Sequence, residues 1–223
     1  MSNPGAFILK KNFLTESELN DEIVFALSQY KYKNRTHAEG SKYGNIDWFR
    51  VVLDGDNSAL KKMLHYFKLN HNDITMAVIY YLEPGAQIHP HRDLTGASVN
   101  ERIRFHLPLV TSQKVTFSVN GEDNIFMAPG ELWVLDTSYQ HAVKNEGEES
   151  RIHIVLEAKL NSYIKKMLPT GYKSKLHTIE FFIWGIYKTV AAILINSWKD
   201  PAYARVQLKM ACSYAVKKIF RRY

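Results

Sequence analysis

Short stretches of alternating apolar and polar residues dominate the chain from residue 74 to residue 158. Successive side chains of a β-strand point to opposite faces, so this period of two predicts strands rather than helices. Turn-forming runs such as PG, NGED and NEGEE separate the stretches, a pattern that is typical of a sandwich or jelly roll. The predicted strands are ITMAVIYYLE (74–83), RIRFHLPLV (102–110), KVTFSVNG (114–121), NIFMA (124–128), ELWVLD (131–136), HAVKN (141–145) and RIHIVLEA (151–158).

Helical signals precede this β region. Thr15 and Glu18 have the spacing of a capping box, in which each residue satisfies the backbone N–H of the other. Asn57 is a favourable residue immediately before a second helical pattern. The elements predicted here are a helix over 16–28, a strand over 47–54 and a helix over 57–70.

After residue 158 the alternation ends, and two helices are predicted over 174–198 and 201–223, with a break at Pro201. We therefore expect a β domain over 1–158 and a basic helical extension over 159–223. The extension carries 13 basic and 2 acidic residues, whereas the remainder carries 16 basic and 20 acidic residues. Such asymmetry indicates either an anionic partner surface or a solvated basic helix face.

The segment 181–198 is nearly apolar, with Lys188 as its one charged residue. It is borderline in length for a membrane span, so packing in a core or homodimer, or docking on an anionic membrane surface, are the main alternatives. The last helix places lysines and arginines beside apolar residues. No interleaved aromatic and basic motif supports nucleic-acid binding.

Composition favours a single sizeable core and an intracellular setting. The chain has 223 residues, of which 46% are hydrophobic. Cys212 is the only cysteine, which excludes an intrachain disulfide framework and a cysteine-rich zinc site. The N-terminal residues lack the long apolar run of a signal peptide. We therefore expect a cytoplasmic enzyme or binding domain, with peripheral membrane contact if the extension docks on lipid.

The run HPHRD is the main candidate for chemistry. If the strand stays extended, alternation puts His89, His91 and Asp93 on one face, and imidazole with carboxylate suits a divalent first-row metal. His91 and Asp93, followed 50 residues later by His141, match the facial triad of non-haem Fe(II) sites. His106 is another candidate for the third ligand, as is His153.

Simpler interpretations of these residues stay open. His91 can be a surface turn histidine, and His141 a hydrogen-bonded core histidine. A cupin-like metal barrel would use His89, His91 and His141, but the glutamate usual after such a pair is missing. A non-catalytic jelly-roll binding module is the remaining alternative.

Two predicted strands carry cationic residues on one face. In 102–110, Arg104 and His106 alternate with aliphatic and aromatic residues, and in 151–158 Arg151, His153 and Glu157 do the same. Flanking apolar runs indicate that both strands are central. An arginine buried beside a metal requires an anion, and guanidinium matches a carboxylate with two parallel hydrogen bonds. The site is therefore expected to take a metal and an acid cosubstrate.

Four motifs in this order resemble the aspartyl/asparaginyl β-hydroxylase family, and its bacterial proline-hydroxylase-like members in particular. The resemblance covers residues 74–158 well, the N-terminal third loosely, and the C-terminal helices not at all. It implies an oxidoreductase with a double-stranded β-helix core, a jelly-roll or cupin-like fold, that depends on Fe(II) and 2-oxoglutarate. The motifs are HRD (91–93), RIRFHLPL (102–109), GELWVLDTSYQHAVKN (130–145) and RIHIVLE (151–157).

The resemblance also implies roles for individual residues. His91, Asp93 and His141 would ligate iron, and Arg151 would bind the distal carboxylate of 2-oxoglutarate. Arg104 and His106 match an Arg-x-His strand whose side chains lie around the cosubstrate. His89 matches no ligand of the family.

The implied reaction is hydroxylation of an unactivated C–H bond, with release of succinate and CO2. Members of the family act on aspartyl or asparaginyl residues, free amino acids, or bacterial lipids. The partner is therefore expected to be a small molecule or a lipid. The sequence motifs do not distinguish among these substrates.

Overall fold

The computed structural model describes residues 5–36, 44–45, 47–93, 102–169 and 175–197, together with the single positions 201 and 209. The chain divides into two compact units, Met1–Tyr172 and Lys173–Tyr223. The helix around Ile164, which follows the last strand, packs into the core of the first unit. The predicted boundary between residues 158 and 159 stays a prediction.

Antiparallel strands form two sheets in the first unit. A seven-stranded sheet has the order β1-β9-β7-β11-β5-β4-β2, and a four-stranded sheet has the order β3-β6-β10-β8. The strands are β1 (Ala6–Lys10), β2 (Asn34–Arg35), β3 (Gly44–Asn45), β4 (Trp48–Val52), β5 (Ile74–Leu82), β6 (Gln87–His91), β7 (Arg102–Val110), β8 (Val115–Val119), β9 (Leu132–Leu135), β10 (His141–Asn145) and β11 (Arg151–Lys159).

Helices accompany the larger sheet, and one helix lies in the second unit. The predicted capping box is present: the Thr15 backbone N–H donates to Glu18, and the Glu18 backbone N–H donates to the Thr15 hydroxyl. Asn57 caps the second helix, as predicted, by accepting from the Leu60 N–H at 2.8 Å. The helices are α1 (Glu16–Gln29), α2 (Ser58–Phe67), α3 (Ser162–Met167) and α4 (Lys175–Ser197).

The alternation predicted for β7 and β11 is confirmed. Both strands are central in the larger sheet. Their apolar positions, such as Phe105 and Ile154, pack with the helices in one hydrophobic cluster. Buried Glu22 joins two of those helices, because its carboxylate accepts from the Asn57 amide and from the Ala59 N–H, both at 2.7 Å. The opposite faces of the two strands carry the arginines and histidines.

A second cluster lies between the two sheets. It includes Leu82 and Trp133 from the larger sheet and Ile88, Phe117 and Val143 from the smaller one. Two antiparallel sheets that face each other across this core form the predicted jelly-roll architecture. The cationic residues of β7 and β11 occupy the remaining part of the inward face.

Two strand predictions differ from the structure. Residues 124–128 form no strand, although the Ile125 N–H donates to the Phe117 carbonyl at 2.9 Å. Asn124 has a φ of 61°, which interrupts an extended run at its first residue. Conversely, β1 was not predicted, and it pairs with β9 from Ala6 onward.

The predicted helix over 174–198 is confirmed as α4. The second predicted helix, over 201–223, lies outside the described residues except at positions 201 and 209, which are helical. Within the described part of the chain, no helix is both long enough and apolar enough to cross a membrane. Several large apolar side chains of α4 are exposed: Ile179, Phe182, Ile183, Ile186, Tyr187, Val190, Leu194 and Ile195.

Candidate active site

His91 and His141 are directly opposed in the smaller sheet. His91 ends β6, His141 begins β10, and the antiparallel register pairs the two residues. Their ring centroids are 4.3 Å apart. Directly opposed residues of an antiparallel pair bring their side chains together on one face. One strand pairing therefore brings together two residues that are far apart in the sequence.

Main-chain carbonyls orient both rings. His91 Nδ1 lies 2.8 Å from the His89 carbonyl oxygen, and His141 Nδ1 lies 3.0 Å from the Tyr139 carbonyl oxygen. A carbonyl oxygen only accepts, so Nδ1 carries the proton in each ring. In a neutral ring with its proton on Nδ1, Nε2 carries the lone pair that a metal-binding histidine offers.

Asp93 completes the cluster from just beyond β6. Its N–H donates to the Thr137 carbonyl at 3.0 Å, which ties it to the turn before His141. One carboxylate oxygen, Oδ1, lies 3.6 Å from His91 Nε2. One ligand atom from each of His91, Asp93 and His141 lies within 4.8 Å of the others. This is the predicted triad, brought together in space.

Arg104 holds the other oxygen of Asp93. Its Nη1 donates to Asp93 Oδ2 at 2.7 Å, and its Nη2 donates to Glu157 Oε2 at 2.8 Å. The register pairs Arg104 with Glu157 across β7 and β11. Burial by itself lowers the pKa of Arg104, but the two carboxylates outweigh it and raise that pKa. Arg104 is therefore a fixed cation that leaves Asp93 only Oδ1 to offer a metal.

Electrostatics keep the cluster ready for a cation. Burial raises the pKa of Asp93, but Arg104, His141 and His91 outweigh that effect and hold its pKa below the usual value. Burial lowers the pKa of His141 to about 4. Asp93 is thus ionised and His141 neutral near pH 7, which are the ligand forms that bind a divalent metal. Two imidazoles and one carboxylate without thiolate suit Fe(II) among first-row ions.

A second group of polar residues is buried further along β11. Arg151 is 7% exposed and His153 is 0% exposed. Arg151 Nη2 lies 3.1 Å from His153 Nδ1, and the His153 ring lies 5.7 Å from that of His106. In the described part of the chain, three buried ring nitrogens have no hydrogen-bond partner: His106 Nδ1, His106 Nε2 and His153 Nε2. We call Arg151, His153 and His106 the buried chamber.

The chamber is positively charged and buried. Burial alone lowers the pKa of Arg151 to about 9. Burial, and then the Arg151 charge, hold the pKa of His106 and that of His153 well below the usual value. No carboxylate forms a recorded ion pair with Arg151 among the described residues. An uncompensated buried guanidinium beside unpaired ring nitrogens fits a bound carboxylate.

Asn145 sets the position at which Arg151 enters the sheet. Its amide Nδ2 donates to the Leu82 carbonyl at 2.9 Å and to the Glu149 carbonyl at 2.8 Å. Its Oδ1 accepts from the Gly147 N–H at 3.0 Å. Asn145 is fully buried, so these three bonds fix the turn between β10 and β11. Arg151, the first residue of β11, follows that turn directly.

The structure separates the predicted site residues into groups. His91, Asp93 and His141 form the metal cluster, Arg104 bonds to Asp93, and Arg151 lies with His106 in the buried chamber. His89 is exposed, and its Nδ1 lies 2.8 Å from the Gln87 amide. His89 is not part of the metal cluster, so the described residues do not support a cupin-like ligand set that includes it.

Two further residues border the site. Glu157 binds Arg104, and the strand alternation had already placed it on the face of Arg151 without giving it a role. Tyr80 is paired with His153 across β5 and β11. Burial raises the pKa of Tyr80. The alternation within β5 also identifies Tyr80 as a residue of the inward face, but no short motif marks it.

Solved structures share this architecture. The non-heme α-ketoglutarate-dependent epimerase SnoN from nogalamycin biosynthesis is 9% identical with a TM-score of 0.54, and the alignment covers 70% of this chain and 78% of that one. A Pseudomonas putida prolyl-4-hydroxylase is 13% identical with a TM-score of 0.51, over 71% and 95% of the two chains. HygX from Streptomyces hygroscopicus, solved with nickel and 2-oxoglutarate bound, is 10% identical with a TM-score of 0.50, over 71% and 84%. These similarities confirm the predicted fold.

Comparison of the sequence with known families identifies the family as well as the fold. The family described as aspartyl/asparaginyl beta-hydroxylase matches residues 15–159, which is more than half of the chain. The match includes all four motifs on which the resemblance depended, and it begins at the cap of α1. It confirms the predicted class of enzyme, an oxidoreductase that hydroxylates with iron and 2-oxoglutarate. The chain belongs to the aspartyl/asparaginyl β-hydroxylase family.

Proposed function

We propose that His91, Asp93 and His141 hold Fe(II), and that Arg151 binds the distal carboxylate of 2-oxoglutarate. The observation that carries this proposal is the presence of two sites on the inward faces of the two sheets. One is a cluster of three ligands in which Asp93 is ionised and His141 is neutral near pH 7. The other is a buried guanidinium without a carboxylate partner. Metal and dicarboxylate are complementary to these two sites.

When bound, iron and 2-oxoglutarate supply the oxygen activation that hydroxylates a C–H bond. The residues of the chain supply position and charge. His91 and His141 present Nε2, because main-chain carbonyls hold their Nδ1 protons. Arg104 limits Asp93 to one free oxygen. His91, Asp93 and His141 would hold the iron through three ligand atoms, and the metal would supply its other positions to cosubstrate and oxygen.

Anaerobic titration with Fe(II) and 2-oxoglutarate tests the assignment. The wild-type protein should develop the weak visible charge-transfer band of the chelate, and His141→Ala should not. His89→Ala is the matched control, since it removes an exposed histidine two residues from His91. Absence of the band from the wild type, together with equal iron binding by His141→Ala, contradicts the proposed triad.

We also propose that α4 meets an anionic membrane surface and that the substrate is a lipid. Ile179, Ile183, Ile186, Val190 and Leu194 are all exposed and recur every three or four residues, so they form one stripe along the helix. The extension carries 13 basic and 2 acidic residues, which complements anionic lipid. An apolar stripe on a basic segment suits a helix that lies in the membrane interface.

Co-sedimentation with phosphatidylglycerol vesicles tests this second proposal. Binding should weaken as salt screens the surface charges, and phosphatidylcholine vesicles should bind less. The double variant Ile183→Asp, Val190→Asp should lose binding, whereas Val24→Asp, an exposed position of α1, should retain it. No binding, combined with a salt-insensitive dimer in solution, would instead assign α4 to a homodimer.

A substrate screen separates the lipid proposal from the other substrate classes. Succinate release is measured with free amino acids, with peptides that contain Asp or Asn, and with lipid extract. The lipid extract should stimulate release above the rate without substrate. Stimulation by a free amino acid alone would favour a proline-hydroxylase-like activity and contradict the lipid assignment.

A further inference from the structure

The hydrogen bond between Arg151 and His153 fixes the proton of the His153 ring. Arginine only donates, so His153 Nδ1, 3.1 Å from Arg151 Nη2, must accept. The ring is neutral, because burial and the neighbouring Arg151 charge hold the pKa of His153 far below its usual value. Its single proton therefore resides on Nε2. That atom is a hydrogen-bond donor in a place that water does not reach.

This donor has no acceptor in the protein as described. His153 is fully buried, and its Nε2 has no partner among the described residues. Buried polar groups are almost always hydrogen-bonded, and leaving one unpaired costs free energy. Both ring nitrogens of His106, the neighbouring ring at 5.7 Å, are also unpaired. Donors that lack acceptors beside a lone guanidinium indicate that an anion completes the chamber.

The register also gives His153 the correct face and neighbourhood. Arg151 and His153 are two residues apart on β11, so both point inward from the same strand. The pairing between β11 and β7 is irregular between Ile152 and His153, where it moves from Val110 to Pro108. Such an irregularity redirects side chains locally.

Building on the proposed role of Arg151, we infer that His153 is a second binding residue for the distal carboxylate of the cosubstrate. The Nε2–H donates to that carboxylate, while Nδ1 aligns the Arg151 guanidinium. His153 therefore makes the site selective for a 2-oxo acid with a second carboxylate over one that lacks it. No short motif of the chain assigns this task to His153.

Anaerobic calorimetry on the Fe(II)-loaded protein tests this inference with two ligands. 2-Oxoglutarate has the distal carboxylate, and 2-oxopentanoate is a 2-oxo acid of the same length without it. His153→Leu should raise the Kd for 2-oxoglutarate about 10-fold or more, as expected for the loss of a hydrogen bond to a charged group. The Kd for 2-oxopentanoate should change less than about twofold. His153→Gln, which keeps a terminal N–H donor, should recover most of the affinity for 2-oxoglutarate.

Each other outcome has a distinct meaning. An equal loss for both ligands, or no loss for either, overturns the role of His153. A wild-type protein that binds neither ligand overturns the proposed cosubstrate, and this role with it. His89→Leu, the same substitution at an exposed histidine, should leave both Kd values unchanged.

A spectroscopic readout on the wild-type protein covers the case in which His153→Leu does not fold. With 15N-labelled histidine, the ring of His153 should show the proton on Nε2 before ligand is added. The Nε2 signal should move on addition of 2-oxoglutarate and move much less with 2-oxopentanoate. A proton found on Nδ1, or equal movement with both ligands, contradicts the inference.

Discussion

The metal end of the site and the buried chamber use arginine in opposite ways. At the metal end, Arg104 lies between Asp93 and Glu157, and both carboxylates are within 2.8 Å of its nitrogens. In the chamber, the Arg151 guanidinium contacts the ring of His153, which is neutral, and no carboxylate of the described residues. The metal end is thus electrostatically complete except for a cation, whereas the chamber is incomplete until an anion enters. A complete charge arrangement at one end and an uncompensated cation at the other suit two ligands of opposite charge.

Removing Arg104 should have the largest effect on stability. Arg104→Met leaves Asp93 and Glu157 buried without their common cation, which should lower the free energy of unfolding by about 3–5 kcal/mol. Urea denaturation of the metal-free protein measures this change. Adding Glu157→Gln to Arg104→Met should restore part of it, since one uncompensated charge is then gone. A loss below about 1 kcal/mol would mean that the ion pairs contribute little.

Removing Arg151 should instead affect binding and spare stability. Arg151→Met deletes an uncompensated buried charge, so the metal-free, ligand-free protein should be as stable as the wild type or more stable. Its affinity for 2-oxoglutarate should fall by about 2–5 kcal/mol, measured by anaerobic calorimetry. Arg151→Lys should recover little affinity, because a point charge lacks the planar fork of guanidinium. A clear loss of stability without loss of affinity would give Arg151 a structural role.

The chamber should also make stability depend on pH. Above the usual histidine pKa of about 6.5, His153 and His106 are neutral in both the folded and unfolded states. Below it, the unfolded chain binds protons that the folded chain excludes, because burial depresses the pKa of both residues. The free energy of unfolding should therefore fall with falling pH, by up to about 1.4 kcal/mol per pH unit for each histidine.

Urea denaturation of the metal-free protein at pH 6 and pH 5 checks that dependence. His153→Asn should reduce the slope of the free energy of unfolding against pH by the contribution of one histidine, up to about 1.4 kcal/mol per pH unit. An unchanged slope would indicate that His153 gains its proton readily in the folded state.

The smallest effect is expected outside both regions. His89→Ala should change the free energy of unfolding by less than about 0.5 kcal/mol, as for other surface substitutions. Iron binding should be unaffected, since the His91 ring is oriented by the main-chain carbonyl of residue 89 and not by its side chain. A large loss of iron in this variant would place His89 in the metal site.

The local part of this arrangement could be predicted from sequence, and the long-range part only in outline. Alternation in β7 separated Arg104 and His106 from their apolar neighbours, because side-chain direction depends only on the strand itself. Family motifs connected His91 and Asp93 with His141. The pairing of Arg104 with Glu157 depends on the register between β7 and β11, which alternation alone does not give.

Two misplaced details have local causes. Alternation predicted His89 on the face of His91, but the pairing of β6 with β10 is irregular between His91 and Ile88, so regular alternation does not hold across His89. The apolar run at 124–128 was predicted as a strand. It starts at Asn124, which has a positive φ, and its hydrogen bond to β8 joins the Ile125 N–H to the Phe117 carbonyl. Neither departure has a signature in hydrophobic periodicity, because both depend on where the backbone turns.

The carbonyl groups that orient His91 and His141 bear on how this enzyme can change during evolution. A main-chain carbonyl is present whatever residue occupies the position. Substitutions at residue 89 can therefore alter the surface beside His91 without changing which ring nitrogen carries the proton. Such changes can alter the surroundings of the site while the orientation of the His91 ring stays the same. The backbone carbonyl of residue 89 thus keeps the orientation of the His91 ring independent of the side chain at that position.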